Sequence, residues 1–228
     1  MKALSKIGFI IFSGAVLISC SSGIQGDKAK TEEAKDVQTS EGSDTRFSID
    51  PANSIVEWKG TKPTGEHIGT INIKQGNIIV KDGNLVAGKF TLDMTSIVNK
   101  DLTDAEWNKK LVDHLNSSDF FNTAEFPQST FELTSAKPYD GSPVEGTEQP
   151  THYVTGNLTI KGIAKSITFP AFVQMDKTMF KATSTQFVID RTEWDVRYQS
   201  KKFFDDLKDK FIYDEIGIRI SIASELKV

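Results

Sequence analysis

Cysteine and histidine are scarce in this chain of 228 residues, which has one cysteine and three histidines. A single cysteine excludes an internal disulfide and any cysteine-rich zinc site. The histidines, His67, His114 and His152, lie in different predicted elements without the close spacing of a metal motif. Neither a Gly-x-Ser-x-Gly nucleophile motif nor a glycine-rich phosphate loop occurs. The sequence therefore predicts no metal site, no catalytic residues and no enzymatic activity.

An excess of positive charge is also absent, because 31 acidic residues outnumber 27 basic ones and the formal net charge is -4. Such a balance gives no general attraction to polyphosphate and disfavours nucleic-acid binding. Hydrophobic residues at 38% and charged residues at 25% are typical of a globular domain. This composition excludes a multispan membrane protein and a wholly disordered chain.

The apolar stretch from residue 7 to residue 18 follows Lys2 and Lys6 and is short for a permanent bilayer span. It predicts a signal peptide over residues 1–19. The next residue is the only cysteine, and Leu17-Ile18-Ser19-Cys20 resembles the lipobox of bacterial lipoproteins. We expect cleavage before Cys20 and acylation of its thiol, for example by palmitate. The alternative is a lone cysteine at the end of an ordinary signal or anchor helix.

Residues 21–46 contain no aromatic side chain and few large aliphatic ones. Such a segment cannot bury enough apolar surface to fold alone, so residues 20–46 are predicted to be a lipidated, flexible tether. Two or more acyl chains would hold the protein stably on a membrane. The expected location is the bacterial cell envelope, with the domain of residues 47–228 facing the periplasm or the cell surface.

From Phe47 onward the dominant pattern is a period of two, which is typical of strands with one buried face. In residues 216–223, four isoleucines alternate with small or polar residues. Eight or nine such segments follow one another with short turns between them, such as Lys81-Asp82-Gly83-Asn84 and residues 161–165. This arrangement predicts an antiparallel barrel or sandwich rather than βαβ units.

Two helices are predicted to pack against the strands or cover one end of them. The first begins at a capping box, Thr103-x-x-Glu106, and its apolar face includes Trp107 and Leu111 with either His114 or Leu115. The second covers Ser200 to Lys210, where Phe203, Leu207 and Phe211 are spaced by four residues. A barrel of about eight strands is either filled by its own side chains or holds one elongated ligand, and the pattern alone favours the filled core.

Seven short segments in a fixed order resemble the YceI-like family over roughly residues 46–226. The resemblance implies an all-β fold with minor α content: an eight-stranded antiparallel lipocalin-like barrel with one or two covering helices. It also implies export across the inner membrane and an interior that binds a long polyisoprenoid, a quinone or a similar amphiphile. The segments are Phe47-x-Ile-Asp50, Ser54-x-Val-x-Trp58-x-Gly60, Gly65-Glu-His67-x-Gly69, Leu111-x-x-His114-Leu115-x-Ser-x-Asp119-Phe120-Phe121, Phe126-Pro127, Gly156-x-Leu158-Thr-Ile-Lys161-Gly162 and Arg191-x-x-Trp194.

The same resemblance, together with the inward-facing aromatics of the predicted strands, suggests which residues contact the ligand. A polar head group would need a donor such as His67 or Arg191. The alternative for Arg191 is a structural ion pair with Asp190, Glu193 or Asp195, the last of which stands where the family usually has glycine. The candidate ligand-binding residues are His67, Gly69, Phe90, Phe120, Phe121, Phe131, Arg191 and Trp194.

The first functional hypothesis is a membrane-tethered, non-catalytic protein that sequesters or carries a long apolar lipid. The alternative is an envelope barrel with a filled core that acts through its surface, in a structural, interaction or stress-related role. The expected partners are an apolar lipid, the membrane through the lipid anchor, and no nucleic acid, with a homodimer left open. No cofactor is expected apart from a bound polyisoprenoid or quinone.

Overall fold

The computed structural model describes residues 24–37, 44–144 and 148–226. The predicted signal peptide and Cys20 lie outside the described residues. Within them there are twelve strands and one α-helix, together with three short 3-10 turns at Pro51–Asn53, Arg191–Trp194 and Lys208–Lys210. The elements are β1 (Asp27–Lys28), β2 (Lys30–Glu33), β3 (Thr45–Ile49), β4 (Ile55–Lys62), β5 (Gly65–Lys81), β6 (Asn84–Asn99), α1 (Ala105–Asn116), β7 (Gln128–Pro138), β8 (His152–Ile160), β9 (Ile163–Met175), β10 (Met179–Ser184), β11 (Phe187–Asp190) and β12 (Glu215–Leu226).

Eight strand positions close into a ring in the order β4, β5, β6, β7, β8, β9, β10 and β12, and β12 pairs again with β4. All of these neighbours are antiparallel. Two positions are interrupted, because β3 and β4 both pair with β5 and β12, while β10 and β11 both pair with β12. The predicted fold class, an all-β, eight-stranded antiparallel barrel with one or two covering helices, is therefore confirmed with one helix, although the ring is not an even barrel.

The chain reverses at the two tight turns that the sequence predicts. Lys81 pairs with Asn84 across Asp82-Gly83, and Ile160 pairs with Ile163 across Lys161-Gly162. Both residues of each turn have a positive φ, between 48° and 75°. Two-residue hairpin turns of this kind require such a backbone, which explains the glycine in each.

Alternating strand directions give the ring two distinct ends. The end with the β4–β5 turn, α1, the β8–β9 turn and the segment 191–214 is called the open end. The other end, with the β5–β6 and β9–β10 turns and the β7–β8 loop, is called the far end. These names are used below to place the site.

Helix α1 forms where predicted but begins one residue later than the capping box suggests. The Asp104 carboxylate, and not the Thr103 hydroxyl, accepts hydrogen bonds from the amides of Glu106 and Trp107, each at 3.0 Å. An aspartate at this position also carries negative charge near the positive helix N-terminus. The helix packs on β6, but Trp107 is 62% exposed and does not join the buried face.

The predicted second helix, Ser200 to Lys210, is wrong. This segment forms turns, and only Lys208–Lys210 has helical character, as a single 3-10 turn. Asp206 and Lys208 have φ values of 58° and 48°, which are incompatible with a continuous α-helix over Ser200 to Lys210. The spacing of Phe203, Leu207 and Phe211 therefore does not reflect one apolar helix face.

The predicted flexible tether is also wrong over residues 27–33, which form strands β1 and β2. We call residues 24–37 the strap. Strand β1 runs parallel to β11, β2 runs antiparallel to β9, and Ala29 between them is 5% exposed and belongs to the core. The physical reason lies in the ring, because β9 pairs with β10 only from residue 171 onward and with β11 nowhere. The strap satisfies backbone groups of β9 and β11 that would otherwise lack partners at this gap.

Candidate functional site

A cavity of about 360 Å³ occupies the ring interior beneath the open end. Side chains of β4, β5, β6, β7, β8, β9, β11 and β12 form its wall, and α1 with the segment 191–214 covers it. A second cavity of about 50 Å³ lies toward the far end. Apolar members of the larger cavity include Val56, Ile71, Leu92, Met94, Ile97, Leu111, Leu115, Ile167, Ile189, Ile216, Ile218 and Ile220.

Aromatic rings separate the two cavities. The rings of Phe90 and Phe131 stack with centroids 5.2 Å apart, and both residues line both cavities. Phe169 continues the row, with its ring centroid 5.7 Å from Phe131 and 4.4 Å from Phe187. This row forms the floor of the larger cavity, so a ligand chain passing deeper would have to displace these rings.

A second aromatic group covers the cavity at the end of α1. The His114 ring meets Phe120 and Tyr198 edge-on, with centroids 5.0 and 4.6 Å apart. Phe120 is 7% exposed, and Phe121 packs beside it with its ring centroid 6.5 Å away. These contacts join the helix to the segment 191–214 above the cavity.

His67 lies at the cavity wall and is oriented by Asp101. Its Nδ1 lies 2.8 Å from the Asp101 carboxylate, which also accepts a hydrogen bond from the Ile68 amide at 2.8 Å. Burial tends to raise the pKa of Asp101, but the hydrogen bonds from Ile68, His67 and Asn99 lower it below its ordinary value. An ionised Asp101 requires the His67 proton on Nδ1, so in the neutral ring the Nε2 lone pair is the atom left to accept.

Two polar atoms on cavity-lining residues are buried and have no hydrogen-bond partner, Nε1 of Trp58 and Oγ1 of Thr61. Thr61 as a whole is 7% exposed. A buried donor without an acceptor costs free energy, which a ligand atom at this position would recover. Both atoms belong to β4, within the wall of the cavity.

Arg191 lines the cavity but its guanidinium is already occupied. It donates to the carbonyl oxygens of Tyr213, Val196 and Ile212 at 3.2, 2.7 and 3.2 Å, and its Nη2 lies 3.3 Å from Asp214 Oδ1. The residue is 2% exposed, and burial lowers the pKa of its guanidinium. Each of the three guanidinium nitrogens of Arg191 is therefore engaged by a protein oxygen.

The three acidic partners considered for Arg191 are therefore wrong. Asp190 binds Lys202, and the Asp195 carboxylate lies 2.7 Å from Nε of Arg197. Glu193 has no salt bridge with Arg191, which instead pairs with Asp214. Asp195 itself has a φ of 58°, the conformation that glycine adopts readily, and an aspartate accepts it better than most residues.

Gly69 does not line the cavity, contrary to its predicted contact with a ligand. A Cβ at this position would overlap the carbonyl oxygen of Val98 and the indole ring of Trp58. The absence of a side chain thus lets Trp58, the cross-strand neighbour of Gly69, lie flat against β5. Gly69 therefore makes room for Trp58, which lines the cavity.

The other seven candidate residues all border the cavity. Trp194 is fully buried and donates from Nε1 to the carbonyl of Leu158 at 3.0 Å. Sequence reasoning missed Thr61, Asp101 and Asp214, since each matters through a contact with a residue distant in sequence. The seven are His67, Phe90, Phe120, Phe121, Phe131, Arg191 and Trp194.

Across the described ranges, no three His, Cys, Asp or Glu side chains are grouped so that they could hold a metal ion. His67 and His114 border the cavity, whereas His152 begins β8 at the far end, where burial lowers its pKa. Among the helices in the same ranges, none combines the length and hydropathy needed to cross a bilayer.

Comparison with known families gives a match to the YceI-like domain over residues 47–224. Protein YceI of Escherichia coli and Protein YceI of Salmonella arizonae are each 36% identical over 105 residues, which is 45% of this chain and 47% of theirs. The chain therefore matches about half the length of these curated relatives. The strap lies outside the matched domain.

Two solved structures share the fold. BcnA of Burkholderia cenocepacia superposes with a TM-score of 0.58 at 22% identity, covering 77% of this chain and 98% of its own. A polyisoprenoid binding domain from Saccharophagus degradans, implicated in plant cell wall breakdown, superposes with a TM-score of 0.54 at 14% identity. This match covers 79% of the present chain and 98% of the Saccharophagus domain. At these identities the likeness concerns the fold.

Proposed function

The chain belongs to the YceI-like domain family, and we propose that it binds a long apolar amphiphile inside its barrel without changing it covalently. The observation that carries this proposal is the cavity of about 360 Å³ with a nearly complete apolar lining. A core filled by its own side chains would leave no such space, because protein interiors pack densely. The volume lies within the range of small-molecule sites, roughly 300 to 1,000 Å³.

The driving force would be burial of hydrocarbon. Each methylene removed from water contributes about 0.8 kcal/mol, so about ten methylenes supply about 8 kcal/mol before the cost of association. That cost is estimated at about 4 to 15 kcal/mol, so a longer chain would be held more tightly only if the Phe90 and Phe131 rings moved aside to admit it. The polyisoprenoid binding named for the Saccharophagus domain supports a ligand of this kind.

The polar end of the ligand would lie on β4 and β5. Trp58 and His67 lie on the same face of the β4–β5 pair, so the unpartnered Nε1 of Trp58 would donate to the head group and Nε2 of a neutral His67 ring would accept from it. Arg191 is engaged by carbonyl oxygens and Asp214, so it is not assigned a head-group role. An uncharged hydroxyl or carbonyl head, as in a prenol or a quinone, suits this set.

The lipobox resemblance supports a place in the bacterial cell envelope. Acylated Cys20 would attach the protein to a membrane, with its barrel in the periplasm or at the cell surface. Ligand binding beside a membrane would let the protein sequester or carry lipids that water excludes.

The test is to purify the full chain, extract it with organic solvent and measure the bound lipid by mass spectrometry. Gly60 offers a way to fill the cavity, because it lines the space and a Cβ there meets no atom within 4 Å. We expect Gly60→Phe to remove most of a near-stoichiometric prenyl lipid or quinone while the melting temperature stays unchanged or rises.

Gly60→Ala is the matched control, since it changes the same backbone position but adds little volume. It should retain the lipid. An extract free of lipid from the unsubstituted protein, under conditions where a prenyl lipid standard is recovered, would refute the proposal. The surface-acting barrel would then be the better account.

A further inference from the structure

Exposed large apolar side chains are confined to one end of the barrel. Six such residues are 40% to 62% exposed within the described ranges. Ile68 is near the start of β5, Val98 near the end of β6, and Trp107 in the first turn of α1, all at the open end. Phe203 and Phe204 lie in the segment that covers the cavity, and Val37 is the last residue of the strap, on the same side.

The position of Val37 follows from the strap. The backbone N–H and C=O of Lys35 are bonded to the Asn157 side chain at 2.9 and 2.6 Å, close to where β8 ends at the open end. Over residues 24–37, 44–144 and 148–224, no large apolar residue of the far end is exposed. Single exposed apolar residues are common, but their collection at one end marks an interaction surface.

The chemistry of this surface fits a lipid–water interface. Lys110 Nζ lies 4.6 Å from the centre of the Trp107 ring, and the Arg197 guanidinium lies 4.5 Å from that of Phe203. Aromatic rings paired with long basic side chains are suited to the headgroup region of a bilayer. There the rings can contact apolar lipid while the charged ends of the basic side chains stay hydrated. Basic and acidic residues are mixed along residues 195–211, so the surface does not depend on anionic lipid.

The position of the strap limits which end can reach a membrane. Ile24 packs on the outer wall at Gly217, since a Cβ on that glycine would lie 2.8 Å from Ile24 Cγ2. Gly217 is two residues from the start of β12, or about 7 Å from the open end. It is nine residues, or about 30 Å, from the far end of the same strand.

Cys20 precedes Ile24 by four residues, which span at most about 14 Å when extended. While the strap stays in the wall, Cys20 itself can reach the plane of the open end but not that of the far end. The strap is therefore a short connection, in contrast to the long flexible tether that its composition predicts.

We propose that the open end docks on the surface of a lipid bilayer, with the cavity entrance toward the membrane. Ile68, Val98, Trp107, Phe203 and Phe204 enter the interface, and the acylated N-terminus holds this orientation. The inference rests on the proposed acylation and lipid binding, and it adds how the ligand moves. An apolar chain passes between bilayer and cavity without crossing bulk water.

The test uses the three tryptophans as depth probes. Full-length protein as the cell produces it is bound to phosphatidylcholine vesicles whose acyl chains carry bromine near the headgroups. Trp107 is exposed, whereas Trp194 is fully buried and Trp58 lines the cavity. We expect the brominated lipid to quench the tryptophan fluorescence strongly, and most of this quenching to be lost in Trp107→Phe. Any quenching that remains would report brominated lipid beside Trp58.

A matched probe at the other end is Lys177→Trp in the Trp107→Phe background, because Lys177 is exposed in the β9–β10 turn. This tryptophan should remain unquenched. Replacing both Phe203 and Phe204 by Asp should reduce the quenching of Trp107, while Lys177→Asp should not. Both substitutions are at exposed positions, so circular dichroism should be unchanged.

Equal quenching at both ends, or none at Trp107 in protein bound to the vesicles, would overturn the docking proposal. So would a dimer without vesicles that buries Trp107 and dissociates in the Phe203→Asp, Phe204→Asp variant. Lipid extraction of the same samples separates the two proposals. A docked protein with an empty cavity would refute lipid binding alone, and a loaded protein that does not dock would refute only the orientation.

Discussion

Replacing Arg191 by methionine would distinguish a structural arginine from one that binds a head group. Methionine keeps much of the unbranched side-chain volume but removes the charge and every donor. Three carbonyl oxygens, those of Val196, Ile212 and Tyr213, would lose their partner, and the buried Asp214 carboxylate would keep only the more distant Lys202, whose Nζ lies 3.8 Å away. All four groups belong to the segment 191–214 that covers the cavity.

The size of the effect follows from burial. Arg191 is 2% exposed and the Asp214 side chain 12%, so solvent screens their interaction little. Breaking a buried pair by removing one partner costs about 3 to 5 kcal/mol. A domain is stable by about 5 to 15 kcal/mol, so the loss would be a large fraction of the total. We therefore expect Arg191→Met to unfold at a clearly lower urea concentration.

The assay is urea unfolding followed by fluorescence, together with lipid extraction from the folded protein. Arg197→Met is the matched control, because Arg197 lies in the same segment but its side chain is 53% exposed and its pair with Asp195 faces water. Exposed ion pairs contribute about 0 to 1 kcal/mol, so the urea concentration at which Arg197→Met unfolds should change little. Unchanged stability in Arg191→Met with loss of bound lipid would refute the structural role and restore the head-group role.

Two further substitutions test the N-terminal region. Cys20→Ser should abolish incorporation of labelled fatty acid and leave the protein unprocessed or wrongly sorted, and label on this variant would contradict acylation at Cys20. Ala29→Asp places a charge in the core beneath the strap, so we expect loss of roughly 1 to 3 kcal/mol and rapid proteolysis within residues 24–37. Lys28→Asp, at an exposed neighbouring position, is the control, and equal proteolysis of both variants would show that Ala29 does not hold the strap.

Most of the strand array could be predicted because its pattern is local. In β12 the isoleucines at 216, 218 and 220 face the cavity, as their alternation with Gly217 and Arg219 indicates. The turn glycines are equally local, since a positive φ is needed at Gly83 and Gly162. A period of two and a glycine in a tight turn each follow from the geometry of a few neighbouring residues.

Helical spacing was a poorer guide because short windows fit it by chance. Phe203, Leu207 and Phe211 have a spacing of four, yet Phe203 is 45% exposed and Asp206 and Lys208 adopt positive φ. The same segment contains the carbonyl groups that Arg191 binds at Ile212 and Tyr213. Contacts with a residue distant in sequence fix this backbone, and local propensity does not encode them.

The polar part of the candidate site escaped prediction for the same reason. The family resemblance pointed to His67, but the residue that orients it, Asp101, comes from the end of β6. Thr61 carries no motif, and its unpartnered hydroxyl is visible only once the segment 191–214 covers β4. A sequence pattern can predict which aromatic residues face inward, whereas the hydrogen bonds between different elements can be identified only from the three-dimensional structure.

The strap shows how a correct compositional argument can lead to a wrong structure. Residues 24–37 lack the apolar content to fold alone, and in the structure they are ordered by pairing with strands of the barrel. Strands β9 and β11 diverge, and their unpaired edges supply the hydrogen bonds that the strap needs. An exposed strand edge readily pairs with another segment, so even a polar stretch becomes ordered when it lies beside one. Since Ile167 and Phe187 of these two strands also line the cavity, the strap closes the wall of the binding site as well as connecting it to the N-terminus.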